Sequence, residues 1–148
     1  VIEEALMGCE GVGFVGAIGQ PDAHAGELPC AYVELGKGAN LTVAQLMDYA
    51  KIHITERAAQ PKYIEILPEL PKTAVGKVFK PDLRRLAITR VYNAALAEAK
   101  LPVTVRTVVE DKKRGLVAKL VASGPASTEA VSAVLGAFTQ GWDWVEQA

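Results

Sequence analysis

The chain has 148 residues, half of them apolar and 22% charged, with a formal net charge of -1. It is long enough to bury a core without disulfides or a structural metal, too neutral for a basic nucleic-acid-binding face and too apolar for disorder. No run of about 18 apolar residues is present, so no membrane span is expected.

In chain order, Ile2 to Met7 reads as a helix, broken by Gly8, Gly11 and Gly13. Phe14 to Gly19 has strand character, and Gln20 to Pro29 reads as a loop punctuated by Pro21, Gly26 and Pro29. Cys30 to Gly36 is a second strand. Thr42 can cap the next helix, where Val43, Leu46, Met47, Ala50 and Ile54 recur at three- and four-residue steps and define one buried stripe. Pro61 closes that segment, and Lys62 to Leu67 alternates as a third strand.

Pro68 to Lys80 is a loop, and Pro81 suits the first turn of a helix running to about Lys100, with Leu83, Leu86 and Ala87 on one side. Val103 to Val109 and Leu116 to Ala122 flank the polar turn "EDKKRG" as a β-hairpin. Ser127 can cap a last helix carrying Val131, Val134, Leu135 and Phe138. Gly141 would stop it, leaving Trp142 and Trp144 packed against this added portion. Short strands and helices without strict βαβ alternation predict an α+β fold, a small mixed sheet flanked by helices with an added β-hairpin plus helix. Residues 1–100 are expected to form one domain and 101–148 an extension.

The chain opens at Val1 already inside an amphipathic pattern, so we expect a piece of a longer protein. It carries no signal-peptide pattern. Cys9 and Cys30 form no CxxC or Cys/His pattern, which predicts two buried thiols in a reducing cytoplasm. His24 and His53 have no partner at ligand spacing, so no metal site is expected. The charged turn from Asp111 to Arg114 reads as a solvated hairpin end.

The remaining feature is "LPKTAVGKVFK", Leu70 to Lys80, with three lysines in one loop. A lysine offers a compact ammonium on a flexible stem that can reach a phosphate or carboxylate oxygen. Gly76 before Lys77 permits a backbone angle that other residues resist. On composition and spacing alone, such a segment reads as a solvated surface turn.

Over a longer span the segment resembles the closing signature of the AMP-forming acyl-CoA synthetases, the family of acetyl-CoA synthetase, firefly luciferase and peptide-synthetase adenylation domains. Their pattern P-(K/R)-T-x-x-G-K is matched at every fixed position from Pro71 to Lys77. Upstream, "IEEAL" resembles the family's I-E-x-x-L helix, and "AIGQPDAHAGELPCAYVEL" is similar to its V-G-x-P-D-x-x-x-G-E stretch and following strand. The resemblance covers roughly residues 1 to 86. Basic residues after the lysine are shifted to Lys80, Arg84 and Arg85, and "GCEG" stands where His-Pro is common.

The resemblance implies the small, mobile C-terminal domain of an acid:CoA ligase. The whole enzyme would use ATP with Mg2+ and coenzyme A, joining a carboxylic acid first to AMP and then to CoA. The partner implied is the N-terminal adenylation domain of the same chain, which holds the acyl pocket and most of the nucleotide site. No nucleic-acid partner is implied, and this piece alone is expected to be inactive. Lys77 is implied as the catalytic lysine of adenylation, with Lys72, Thr73 and Gly76 in substrate or cofactor binding. Lys72 would serve the thioester-forming pose, Glu27 a structural role, and Lys80 would be solvated. The loop is expected to be exposed and poorly ordered. An adenylation domain of the peptide-synthetase branch, or a non-catalytic binding or assembly module, are the alternatives.

Overall fold

The structure, a computed structural model, describes residues 1–145. Its elements are α1 (Ile2–Met7), β1 (Val12–Asp22), β2 (Gly26–Leu35), α2 (Val43–His53), β3 (Tyr63–Ile66), α3 (Lys80–Glu98), β4 (Val103–Asp111), β5 (Gly115–Ala122), α4 (Thr128–Leu135) and β6 (Trp142–Trp144). The fold is α+β. It holds two three-stranded sheets, ordered β1-β2-β3 and β4-β5-β6, where a single sheet plus a hairpin was expected.

The chain divides into two compact units. One contains Val1–Gly19 and Leu28–Arg84; the other contains Gln20–Glu27 and the chain from Arg85 onward.

In the first unit β2 is the central strand, with Ala31 and Val33 fully buried. β3 runs parallel to it, pairing Cys30 with Tyr63 through Val33 with Ile66. Leu6 of α1, and Leu46 and Ala50 of α2, pack with Val15, Ala31, Val33 and Ile64 into one apolar cluster. The predicted stripe on α2 is correct at Leu46, Ala50 and Ile54, whereas Val43 is 40% exposed in the first turn. Thr42 begins α2 as a reciprocal cap: its hydroxyl accepts from Gln45 N–H and the Gln45 side chain accepts from Thr42 N–H.

The segment Gln20 to Pro29, read as a loop, is mostly strand. β1 runs on through Pro21 to Asp22, and β2 starts at Gly26. Asp22 Oδ2 accepts from His24 N–H at 3.0 Å and Ala25 N–H at 2.8 Å, and Gly26 takes φ +82, so a three-residue turn suffices. Pro29 still offers its carbonyl, which accepts from Lys62 N–H at 2.8 Å.

In the second unit, β4 and β5 pair antiparallel, from Val103 with Ala122 to Asp111 with Gly115. The register slips between Val105 and Thr107, so Val103 and Val105 are buried and then Val108 rather than Thr107. Asp111 Oδ1 accepts from Lys113 N–H and Arg114 N–H, closing the hairpin turn before Gly115. Val131 and Leu135 of α4 join Tyr92, Leu96 and Leu120 in the core.

α4 stops at Leu135, with Gly136 as its C-cap, earlier than the Gly141 stop expected. Trp142–Trp144 is a strand parallel to β5. The two indoles lie edge to face at 5.4 Å and pack against the core, the role anticipated for them. Leu86, expected inside, is 44% exposed. Tyr92 is buried instead, with its hydroxyl donating to Gln140 O at 2.7 Å.

Candidate functional site, the lysine loop

Everything that shapes the loop from Pro68 to Lys80 lies in the first unit. Leu70, 1% exposed, anchors the incoming leg by burial. Its N–H donates to Glu34 Oε1 at 2.8 Å. The same carboxylate oxygen accepts from Lys72 Nζ at 2.7 Å, so one β2 side chain holds two points of the leg. Lys72 Nζ also stands 3.9 Å from Glu69 and 4.3 Å from the centre of the Phe14 ring. The Lys72 ammonium and the Leu70 N–H hold the Glu34 carboxyl below the usual carboxylate range.

From Pro71 to Phe79 the backbone closes on itself. Phe79 N–H donates to Pro71 O at 2.7 Å, and Lys72 and Val78 form an antiparallel bridge. Inside that bridge, Thr73 N–H donates to Lys77 O at 2.7 Å and Gly76 N–H to Thr73 O at 2.9 Å. Lys77 N–H reaches Thr73 Oγ1 at 3.3 Å. Gly76 has φ +84, and no atom stands within 4 Å of where its Cβ would be. Glycine is required there for the backbone angle and not for space.

The outgoing leg is held as well. Lys80 Nζ pairs with Glu3 Oε1 of α1 at 3.1 Å, and Glu3 Oε2 accepts from Ala17 N–H of β1 at 3.2 Å. Lys80 is therefore ion-paired and not simply solvated as expected. The segment is exposed from Thr73 to Lys77, as expected. It is more regular than anticipated, because the N–H groups of Thr73, Gly76, Lys77 and Phe79 all donate within it.

The three lysines thus separate. Lys72 is tied to Glu34 and Lys80 to Glu3, whereas the Lys77 ammonium has no ion-pair or hydrogen-bond partner among the described residues. An exposed ammonium on a hydrogen-bonded turn is available to an incoming phosphate or carboxylate oxygen. Thr73, Gly76 and the backbone of Lys77 are used within the turn itself. A thioester-pose contact by Lys72 would require it to give up Glu34.

Two residues of this arrangement were not anticipated, Glu34 and Glu3. The signal for Glu34 was a lone carboxylate in the buried apolar run from Cys30 to Leu35. Glu3 sat inside the I-E-x-x-L pattern without an assigned partner.

The other candidates lie elsewhere. Glu27 is exposed on β2. His24 lies in the β1–β2 turn, and His53 stacks on Tyr49 at 3.8 Å with Nδ1 3.0 Å from Tyr49 O. Arg114 is taken up by Asp143 and Asp111. Cys9 is half-buried and Cys30 buried, and they form no disulfide. Among the described residues, no group of His, Cys, Asp and Glu is placed to hold a metal ion. None of the described helices is long and apolar enough to cross a membrane.

Comparison with known proteins places the same part of the chain in one family. The family described as "AMP-binding enzyme C-terminal domain" matches residues 1–77, ending at Lys77. Marinolic acid–CoA ligase of Pseudoalteromonas sp. (strain SANK 73390) is 47% identical over 90 residues, covering 61% of this chain and 14% of that protein. Among solved structures, apo MatB from Rhodopseudomonas palustris superposes with a TM-score of 0.52 at 32% identity, covering 56% of this chain and 16% of that one. The anthranilate CoA ligase AuaEII, in complex with anthranoyl-AMP, superposes with a TM-score of 0.54 at 28% identity, covering 61% and 18%. The chain therefore spans less than a fifth of the length of these relatives.

Proposed function

The chain belongs to the AMP-binding enzyme C-terminal domain family, and from that premise we propose that it is the mobile C-terminal domain of an acid:CoA ligase. In this reading Lys77 serves the adenylation half-reaction. The observation that carries it is the state of Lys77: the ammonium left without a partner, at the tip of a turn whose neighbouring lysines are both neutralised.

In the proposed reaction a carboxylate oxygen bonds to the α-phosphorus of ATP, and the bond to the bridging oxygen of pyrophosphate breaks. The products are an acyl-adenylate and pyrophosphate. CoA sulfur then attacks the acyl carbon, and AMP departs with the bonding electron pair. Lys77 contributes charge. It holds the substrate oxygens and offsets the negative charge that grows on the five-coordinate phosphorus, a contribution of roughly 3–4 kcal/mol or 10²–10³ in rate. It neither attacks nor transfers a proton.

Thr73 and Gly76 shape the turn, and Lys72 holds its root, so these three support the ammonium in this pose. Mg2+ would arrive with ATP and screen its phosphates. The described residues present no carboxylate cluster to it, and its ligands are assigned to the remainder of the enzyme. CoA as acceptor is supported by the CoA-ligase names of the similar proteins, and an acyl-adenylate intermediate by the anthranoyl-AMP in one of them. We place the enzyme in the cytoplasm, since two cysteines at this length are not needed as staples.

The test uses the full-length enzyme that contains this chain. Pyrophosphate release is measured with a panel of acids including acetate, malonate, octanoate, benzoate and anthranilate. Lys77→Ala should slow adenylation about 10²–10³-fold while sparing transfer from supplied acyl-adenylate to CoA. Equal loss in both half-reactions removes the role of Lys77, and no release with any acid favours a non-catalytic module.

A further inference from the structure

We infer that Glu34 is a positioning residue for adenylation, acting on substrate only through the direction in which it holds the Lys77 turn; this rests on the function proposed above. The turn is a short hairpin whose own ladder is one bridge between Lys72 and Val78. A ribbon this short is not stable by itself, so its direction depends on how its legs are fixed to the sheet.

The incoming leg is fixed at Glu34. Its carboxylate projects from the central strand and meets both the Leu70 N–H at 2.8 Å and the Lys72 ammonium at 2.7 Å. The Lys72 ammonium is boxed in further by the Phe14 ring at 4.3 Å, and its side chain is only 19% exposed. Lys72 is therefore a strut rather than a probe. Five residues along, Lys77 inherits the orientation that the strut sets.

The outgoing leg is fixed by Glu3, which joins Lys80 to the β1 backbone at Ala17. That pair is the weaker of the two, because both side chains are more than a third exposed. The Glu34 attachment is more enclosed, and charge-assisted bonds of this length are the stronger kind. Glu34 is thus the anchor whose loss would let the turn swing while the domain core stays intact. A reacting ammonium displaced by about 1 Å can lose about 10²-fold in rate.

The experiment again uses the full-length enzyme, with the acid of the panel that gives the fastest ATP–pyrophosphate exchange. Glu34→Leu should lower adenylation kcat by about 10²-fold with KM for ATP and acid unchanged. Glu34→Gln keeps an acceptor for Leu70 N–H and should lose less. Transfer from supplied acyl-adenylate to CoA should not change. In the Lys77→Ala background Glu34→Leu should cost nothing more, because a residue that acts through Lys77 is silent once Lys77 is gone. Hydrogen exchange gives a second readout: the Phe79 and Gly76 amides should exchange faster in Glu34→Leu, while those of β2 and β3 keep their protection.

A further loss in the Lys77→Ala background, or unchanged exchange at Phe79 and Gly76, overturns the positioning role alone. Adenylation undiminished by Lys77→Ala overturns the proposed function and takes this inference with it.

Discussion

Gly16 of β1 lies against Leu83 of α3 so closely that a Cβ at position 16 would overlap Leu83 Cδ1 and stand 3.0 Å from Val78 Cγ1. The missing side chain lets the residue after Lys77 and the start of α3 both settle on the sheet. Leu83 is fully buried and has little room to move away. Gly16→Ala should therefore destabilise the chain by about 1–3 kcal/mol through overpacking. Urea unfolding checks this. Leu83→Ala in the same chain should absorb part of the effect, so the double variant should lose less than the sum of the two.

Gly76 gives a different outcome, because nothing crowds it. Its φ of +84 strains any residue with a Cβ by about 1–2 kcal/mol, and Asn tolerates the region better. The expected result is a turn that reopens while the core is unaffected. In the full-length enzyme Gly76→Ala should slow adenylation about tenfold, since about 1.4 kcal/mol is a factor of ten, and Gly76→Asn should recover most of it. The melting temperature of the chain should scarcely change.

The cap of α2 predicts an effect on stability. Thr42→Ala removes the hydroxyl that accepts from Gln45 N–H and, with it, half of a reciprocal pair. The cost should be about 1 kcal/mol in urea unfolding, with Thr42→Ser close to the parent.

Asp143 predicts an acid dependence in the second unit. Arg114 and Lys119 both bond its carboxylate, at 2.7 and 3.0 Å, and hold its pKa well below the usual carboxylate range. A carboxyl whose folded pKa is depressed contributes stability that is complete above its unfolded value near 3.8 and is lost as pH falls towards the folded value. Thermal unfolding of the chain and of Asp143→Asn should therefore differ at pH 7. The difference should narrow progressively below about pH 4. A gap of constant size down to pH 2 would refute the assignment.

Much of the fold was legible where its cause was local. Thr42 and Ser127 were recognised as caps because a hydroxyl next to an apolar repeat satisfies N–H groups only three residues away. The hairpin of β4 and β5 was legible from two Val-containing apolar runs about a polar turn. β6 was not, since three residues carry too little pattern. Trp142 to Trp144 become a strand only because β5 presents a free edge and Asp143 meets Arg114 and Lys119. Pro21 and Pro29 read as loop because proline removes a ladder donor. They sit in strands here because the turn between them is closed by Asp22, and Pro29 needs only its carbonyl.

The site divides along the same line. The turn around Lys77 was readable from sequence, because Pro71 to Lys77 is a contiguous run whose φ requirement lies within seven residues, whereas Lys77 itself was singled out by the family resemblance. Which of the three lysines are ion-paired was not readable. Lys72 meets a carboxylate 38 residues earlier and Lys80 one 77 residues earlier. Sequence by itself determined the turn, its glycine and the lysine it presents, because those depend on neighbouring residues. Only tertiary structure decided which lysine remains unpaired, because charge neutralisation depends on distances across the sheet that no local pattern encodes.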